Sequence, residues 1–138
     1  MVMQPEITWA VREAVAETLD QDVHRVPVDA AIVADLGAES IELVDILFRI
    51  ECTLGVRLAF DDVGALLQGA LDDNVFLDAW GRLAAAGRDQ LAGVLSASTA
   101  ARIQAGLRPD QVSALLTVHD LAGVLRSVLT VAGGARHA

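Results

Sequence analysis

A single serine, Ser40, stands where a glycine-bearing turn gives way to an acidic, apolar-striped segment. The run reads Asp35-Leu36-Gly37-Ala38-Glu39-Ser40-Ile41-Glu42-Leu43-Val44-Asp45-Ile46-Leu47-Phe48-Arg49-Ile50-Glu51. Serine at the start of a helix has two uses. Its oxygen can cap the helix by accepting a backbone N–H. Alternatively, a free hydroxyl there can bear an anionic group, because the unpaired N–H groups and the positive dipole end favour negative charge. Gly37 permits the tight approach to the helix. A self-contained serine nucleophile needs a base beside it. The three histidines, His24, His119 and His137, are scattered, and with one cysteine they form no zinc pattern. No phosphate-binding loop, nucleophile elbow or metalloprotease motif is present. These residues therefore imply neither a metal site nor an enzyme.

The elements that must position Ser40 are read from periodicity. Ile7, Val11, Ala14, Val15 and Leu19 share one face of a helix expected over 6–19, with Pro5 suited to its start. Residues 20–38 read as a long loop anchored by Val26, Ile32 and Leu36, with Val26 extended before Pro27. The helix that follows spans 40–54. It carries one stripe of Ile46, Leu47, Ile50 and Leu54 and a second of Ile41, Val44 and Phe48, so it either is buried or meets a partner. Gly55 is its expected C-terminal cap. Thr117-Val118-His119-Asp120 has the form of a capping box before a last helix whose apolar face is Leu121, Val124, Leu125, Val128 and Leu129. Residues 133–138 read as a frayed tail.

Composition agrees with helices. The 138 residues are 54% hydrophobic but only 4% aromatic, without tyrosine. The net charge is −9. Residues 1–62 hold thirteen acidic residues against four arginines, and 63–138 hold six against six, so the whole excess lies with the serine motif. Such a surface repels nucleic acid and anionic membranes and steers basic partners, besides keeping the chain soluble. No apolar run reaches the length of a membrane span and no signal peptide is visible, so cytoplasmic residence is expected. Cys52 is the lone cysteine, excluding an internal disulfide, and its helix suggests burial.

The motif resembles that of acyl carrier proteins. That family typically reads Asp-Leu-Gly-x-Asp-Ser-Leu, then an acidic helix, then Gly-Val-x-Ile. Here Asp35-Leu36-Gly37-Ala38-Glu39-Ser40-Ile41 is followed by Gly55-Val56-Arg57-Leu58. Val26, Asp29 and Ile32 fall where the family places a Val, an acid and a Phe, and Thr117-Val118 looks like the start of its final helix. The resemblance covers 6–62 and about 115–130. It implies an all-α, four-helix bundle with additional helices inserted between the second and final helices, all within one carrier domain over 1–138. It also implies a 4′-phosphopantetheine arm, delivered from coenzyme A by a phosphopantetheinyl transferase and attached to Ser40, with Asp35, Gly37 and Glu39 around it. Ile41, Val44 and Phe48 would be apolar docking residues, and Glu39, Glu42, Asp45 and Glu51 acidic ones, meeting basic patches on enzymes that load, elongate or transfer acyl groups. Ile46, Leu47 and Ile50 would line the core or an acyl cavity. The implied function is carriage of acyl or related thioester intermediates in a specialised lipid, fatty-acid or polyketide-type pathway. The alternatives are aminoacyl or peptidyl cargo, or a non-covalent interaction module. Glu39 replaces the usual Asp, Ala59 a frequent Pro, and Arg49 and Cys52 stand where many members have neutral or acidic residues.

The main departure is an insertion over about 63–114. Asp61 or Asp62 is expected to cap a helix through Leu71. Asp72 or Asp73 would cap another containing Val75, Phe76, Trp80 and Leu83, and Ser96 or Ser98 a third containing Ile103 and Leu107. Pro109-Asp110 marks a further start. Frequent glycines, each costing roughly 1 kcal/mol in a helix, imply several short helices. Its leucines, with Phe76 and Trp80, are too many to leave in water. The insertion enlarges the core to shelter a long or bulky chain, covers only its own apolar surface, or forms an association face.

Overall fold

The structure is a computed structural model that describes the backbone of residues 4–137 and the side chains of 6–129. Helix α1, Gln4–Leu19, lies against both α2, Ser40–Leu54, and α8, Val118–His137. Its buried face is Ile7, Ala10, Val11, Ala14 and Val15, as the spacing requires. Between α1 and α2 runs a long loop with one 3-10 turn, Val23–Arg25, whose start is capped by the Asp22 carboxylate accepting the His24 N–H at 2.9 Å. Val26 and Ile32 are fully buried and anchor this loop, with Leu36 half-buried. Its backbone is pinned to the segment entering α8: Ile32 N–H donates to Leu116 O (2.9 Å), Ala34 N–H to Ala114 O (3.0 Å), and His119 N–H to Val28 O (3.0 Å).

Helix α2 has the expected bounds. Leu43, Ile46, Leu47 and Ile50 are buried, and Gly55 ends the helix at φ +68°, a left-handed conformation that glycine adopts without steric cost. The Glu51 carboxylate accepts the Leu58 N–H and folds the Gly55-Val56-Arg57-Leu58 segment back under α2, where Leu58 is fully buried. Cys52 is exposed, not buried as its helix suggested. It lies two residues beyond Ile50, about 200° around the helix from the buried stripe.

The insertion comprises α3 (Phe60–Gln68), α4 (Asp73–Phe76), α5 (Ala85–Val94), α6 (Ala97–Ala100) and α7 (Pro109–Ser113). Several short helices are present, but their bounds differ from those anticipated. Ala59, not Asp61 or Asp62, occupies the cap position of α3, with Asp62 reaching back to the Ala59 N–H (2.9 Å), and α3 stops at Gly69. Asp72 does precede α4, yet that helix ends at Phe76. The Asp78 carboxylate then accepts the Trp80 and Arg82 N–H groups (2.9 and 3.0 Å), turning the chain so that Leu77 pairs with Leu83. Trp80, expected in the core, sits on this turn 70% exposed, with the Arg82 guanidinium 5.2 Å from its ring centre. Ser96 caps α6, which ends at Ala100, leaving Ile103 and Leu107 in irregular chain.

Helix α5 had no counterpart in the sequence reading. Its buried residues are only Gly87 and Leu91, and a Cβ at Gly87 would fall 2.3 Å from Phe76 O. The glycine that reads as a helix breaker is the point of closest approach to α4. Buried Leu67, Phe76, Leu83, Leu91 and Leu95 join the bundle residues in one continuous core.

The Thr117–Asp120 capping box forms as expected. Asp120 N–H donates to Thr117 Oγ1 and Thr117 N–H to the Asp120 carboxylate, both at 3.1 Å. Asp120 is also buried and accepts from Ser96 N–H (2.9 Å) and from the Thr99 hydroxyl, so the box fastens α6 to α8. Helix α8 continues to His137, so the tail anticipated over 133–138 is helical to that residue, and Ala138 lies outside the described residues.

Candidate functional site

Ser40 is the first residue of α2, and Glu39 before it takes the cap position. The Glu42 carboxylate reaches back to accept the Glu39 N–H at 2.9 Å. The cap position that a serine commonly takes is thus held by Glu39, and Ser40 lies one residue inside the helix. Ser40 is exposed, and among the described residues no group engages its hydroxyl. The helix start offers its N–H groups and positive dipole end to an anion bonded at this oxygen.

The turn leading to Ser40 is braced from two sides. Asp35 accepts the Ala31 N–H at 2.8 Å and, from the insertion, Arg102 Nη1 at 2.9 Å. The Ala31 N–H first, and Arg102 second, hold the Asp35 carboxyl below its ordinary value. Gly37 has φ +80° and donates its N–H to Val33 O (3.1 Å), and the space a Cβ would enter is open. Ala38 is buried and donates to Ile32 O (3.2 Å), tying the turn to the pinned loop.

The outer face of α2 beyond Ser40 is apolar. Ile41, Val44 and Phe48 are 74%, 51% and 60% exposed, unlike the buried stripe of Ile46, Leu47 and Ile50. The four acidic residues on this helix and its cap are not equivalent. Glu39 and Glu42 stand at the N-terminal end, joined by the cap. Asp45 is turned toward α1: it bridges Arg49 (3.2 Å) and accepts from Thr18 (3.5 Å), while Arg49 also meets Glu17 (3.0 Å). Asp45 first, then Glu17, raises the Arg49 guanidinium above its ordinary value. Glu51 is occupied by the Leu58 N–H. Arg49 therefore neutralises acids on the α1 side of α2.

Arg102 is the site residue that sequence reasoning missed. It lies 67 residues from Asp35, and no local pattern couples them. Within the insertion, α3 and the later helices line an open apolar cavity of about 270 Å³ that includes none of Ile46, Leu47 or Ile50.

The family model described as "Phosphopantetheine attachment site" matches residues 9–66. An acyl carrier protein of Thermotoga maritima is 34% identical over 58 residues, covering 42% of this chain and 72% of that protein. One of Petrotoga mobilis shows the same identity, covering 68% of its length. The polyketide-8 synthase acyl carrier protein 2 of Streptomyces avermitilis is 39% identical over 64 residues, 45% of this chain and 74% of its own. No solved structure matches.

Proposed function

The chain belongs to the acyl carrier protein family, and from that premise we propose that Ser40 bears the family's 4′-phosphopantetheine group and that the chain carries acyl thioesters in a specialised lipid or polyketide-type pathway. The observation that carries this reading is the exposed Ser40 at the first position of α2, with Glu39 holding the cap position before it and Glu42 accepting the Glu39 N–H. The arm supplies a terminal thiol on which cargo is held as a thioester. Ser40 Oγ supplies the ester oxygen, adenosine 3′,5′-bisphosphate departs from coenzyme A, and the serine proton goes to a base on the transferase, since among the described residues no histidine is hydrogen-bonded to Ser40. The α2 N-terminus would offer its positive dipole end to the phosphodiester, and Arg102 offsets the negative charge of Asp35 on the same loop.

Docking of the transferase and of acyl-handling enzymes is assigned to Ile41, Val44 and Phe48, flanked by Glu39 and Glu42. Exposed apolar side chains with acids at one end suit partners whose apolar patch is bordered by Arg and Lys. Asp45 and Glu51, already bonded within the chain, contribute less.

The test is intact mass after incubation with coenzyme A and a broad-specificity transferase. Wild type should gain one arm and Ser40→Ala none. Gain by both would place the arm on another residue. No gain on folded protein with several transferases would favour a non-covalent module.

A further inference from the structure

The cavity between α3 and the rest of the insertion is walled by Phe60 and Leu67 of α3, Phe76 of α4, Leu91 of α5 and Val112 of α7. Among the described residues, nothing from α1, α2 or α8 lines it. We propose that this groove holds the apolar tail of the carrier's own cargo, a straight acyl chain of medium length. The proposal rests on Ser40 being the attachment point and adds where the chain goes and what length it has.

Size, charge and position favour that occupant. A ~150 Å³ apolar cavity admits benzene, so about 270 Å³ accommodates a chain on the order of ten carbons. The exposed carboxylates of Asp61 and Asp110 are part of the lining. They repel the carboxylate of a free fatty acid and are indifferent to the neutral carbonyl of a thioester. Ser113, also in the lining, accepts the Leu116 N–H (3.4 Å). Leu116 O accepts the Ile32 N–H (2.9 Å), and Ile32 O the Ala38 N–H (3.2 Å), two residues before Ser40. The groove wall and the attachment turn thus belong to one hydrogen-bonded framework. Every two methylenes that leave water should shift the buried-to-exposed ratio roughly tenfold.

Two glycines make the proposal testable. Gly64 lines the groove from α3, and Gly93 lies exposed on α5 outside its lining. A Cβ at either meets nothing within 4 Å. Gly64→Phe should fill the groove with the helix intact, and Gly93→Phe is the matched control. Each protein is charged with an arm bearing a four-carbon or a ten-carbon chain, completeness is checked by mass, and thermal unfolding is followed by circular dichroism. The ten-carbon form should melt several degrees above the four-carbon form in wild type and Gly93→Phe, and the difference should vanish in Gly64→Phe. Unmodified Gly64→Phe is melted alongside, and Gly64→Leu replaces it if the larger side chain disturbs folding. Equal melting of the two lengths in wild type overturns the proposal and leaves the carrier reading standing. A length effect that survives in both Gly64 variants places the chain elsewhere and also overturns it. Failure of Ser40 to take an arm sinks both readings.

Discussion

The attachment loop and the insertion are fastened to the same bundle by different means. The loop is held chiefly through backbone: the Ile32, Ala34 and His119 N–H groups each find a carbonyl across the gap between the loop and the entry to α8. None of those bonds depends on which side chain occupies the position. Beyond the backbone bond at Ala114 O where it meets the loop, the insertion is attached through side chains, with the Asp120 carboxylate gathering the Ser96 N–H and the Thr99 hydroxyl, and Arg102 reaching Asp35. A backbone-pinned loop tolerates substitution and keeps Ser40 in place. A side-chain-pinned insertion can be released by single changes, which makes the contrast measurable.

The largest effect is expected at Asp120. Asp120→Ala leaves the Ser96 N–H, the Thr99 hydroxyl and the Thr117 N–H without their buried acceptor. Urea unfolding should show a loss of about 3–5 kcal/mol. Ala34→Ser, at an exposed position of the backbone-pinned loop, should stay within about 0.5 kcal/mol of wild type. Comparable losses in the two variants would erase the distinction.

Next come the glycines of the insertion, where the same substitution should change sign with position. Gly87→Ala drives its Cβ into Phe76 O and should cost roughly 1–3 kcal/mol. Gly93→Ala has open space and a helical backbone, and should gain up to about 1 kcal/mol. Denaturant midpoints of the pair decide the matter, and a stabilising Gly87→Ala would contradict the close approach of α4 and α5.

The smallest effect concerns Asp35. Its carboxyl is depressed in the folded chain, so the stability it contributes is present above its unfolded value near 3.8 and is lost as pH falls through the lower folded value. Carbon-detected NMR titration should show the Asp35 pKa rising in Arg102→Ala while remaining below 3.8, because the Ala31 N–H still holds the carboxylate. An unchanged titration would mean that Arg102 does not brace the turn. Being solvent-exposed, this ion pair should also weaken with added salt.

What could be read from the sequence follows the same division. Helix α2 was legible because an apolar stripe, an acidic first turn and Gly55 all agree on its bounds. Thr117–Asp120 was legible as a box because its pattern is local. Its reach to Ser96 and Thr99 was not, since a buried carboxylate has lone pairs that tertiary structure assigns. Helix α5 escaped notice because half of its buried face is Gly87, which carries no apolar signal. Trp80 was misread because size suggests burial, while the Asp78 turn lifts it into solvent. At the site, the apolar face of Ile41, Val44 and Phe48 was visible from spacing, whereas Ser40 was singled out by the resemblance of its motif to that of acyl carrier proteins. Arg102 was not, because its partner is joined to it only by the fold.

Exposed Cys52 sets the chemistry available to an experimenter. A maleimide or disulfide reagent will titrate one group on the unmodified chain and two once an arm with a free thiol is in place. Thiol stoichiometry therefore reports occupancy only against that baseline. Cys52→Ser would give a protein whose sole reactive sulfur arrives with the arm, ready for selective dye coupling or cross-linking to a partner.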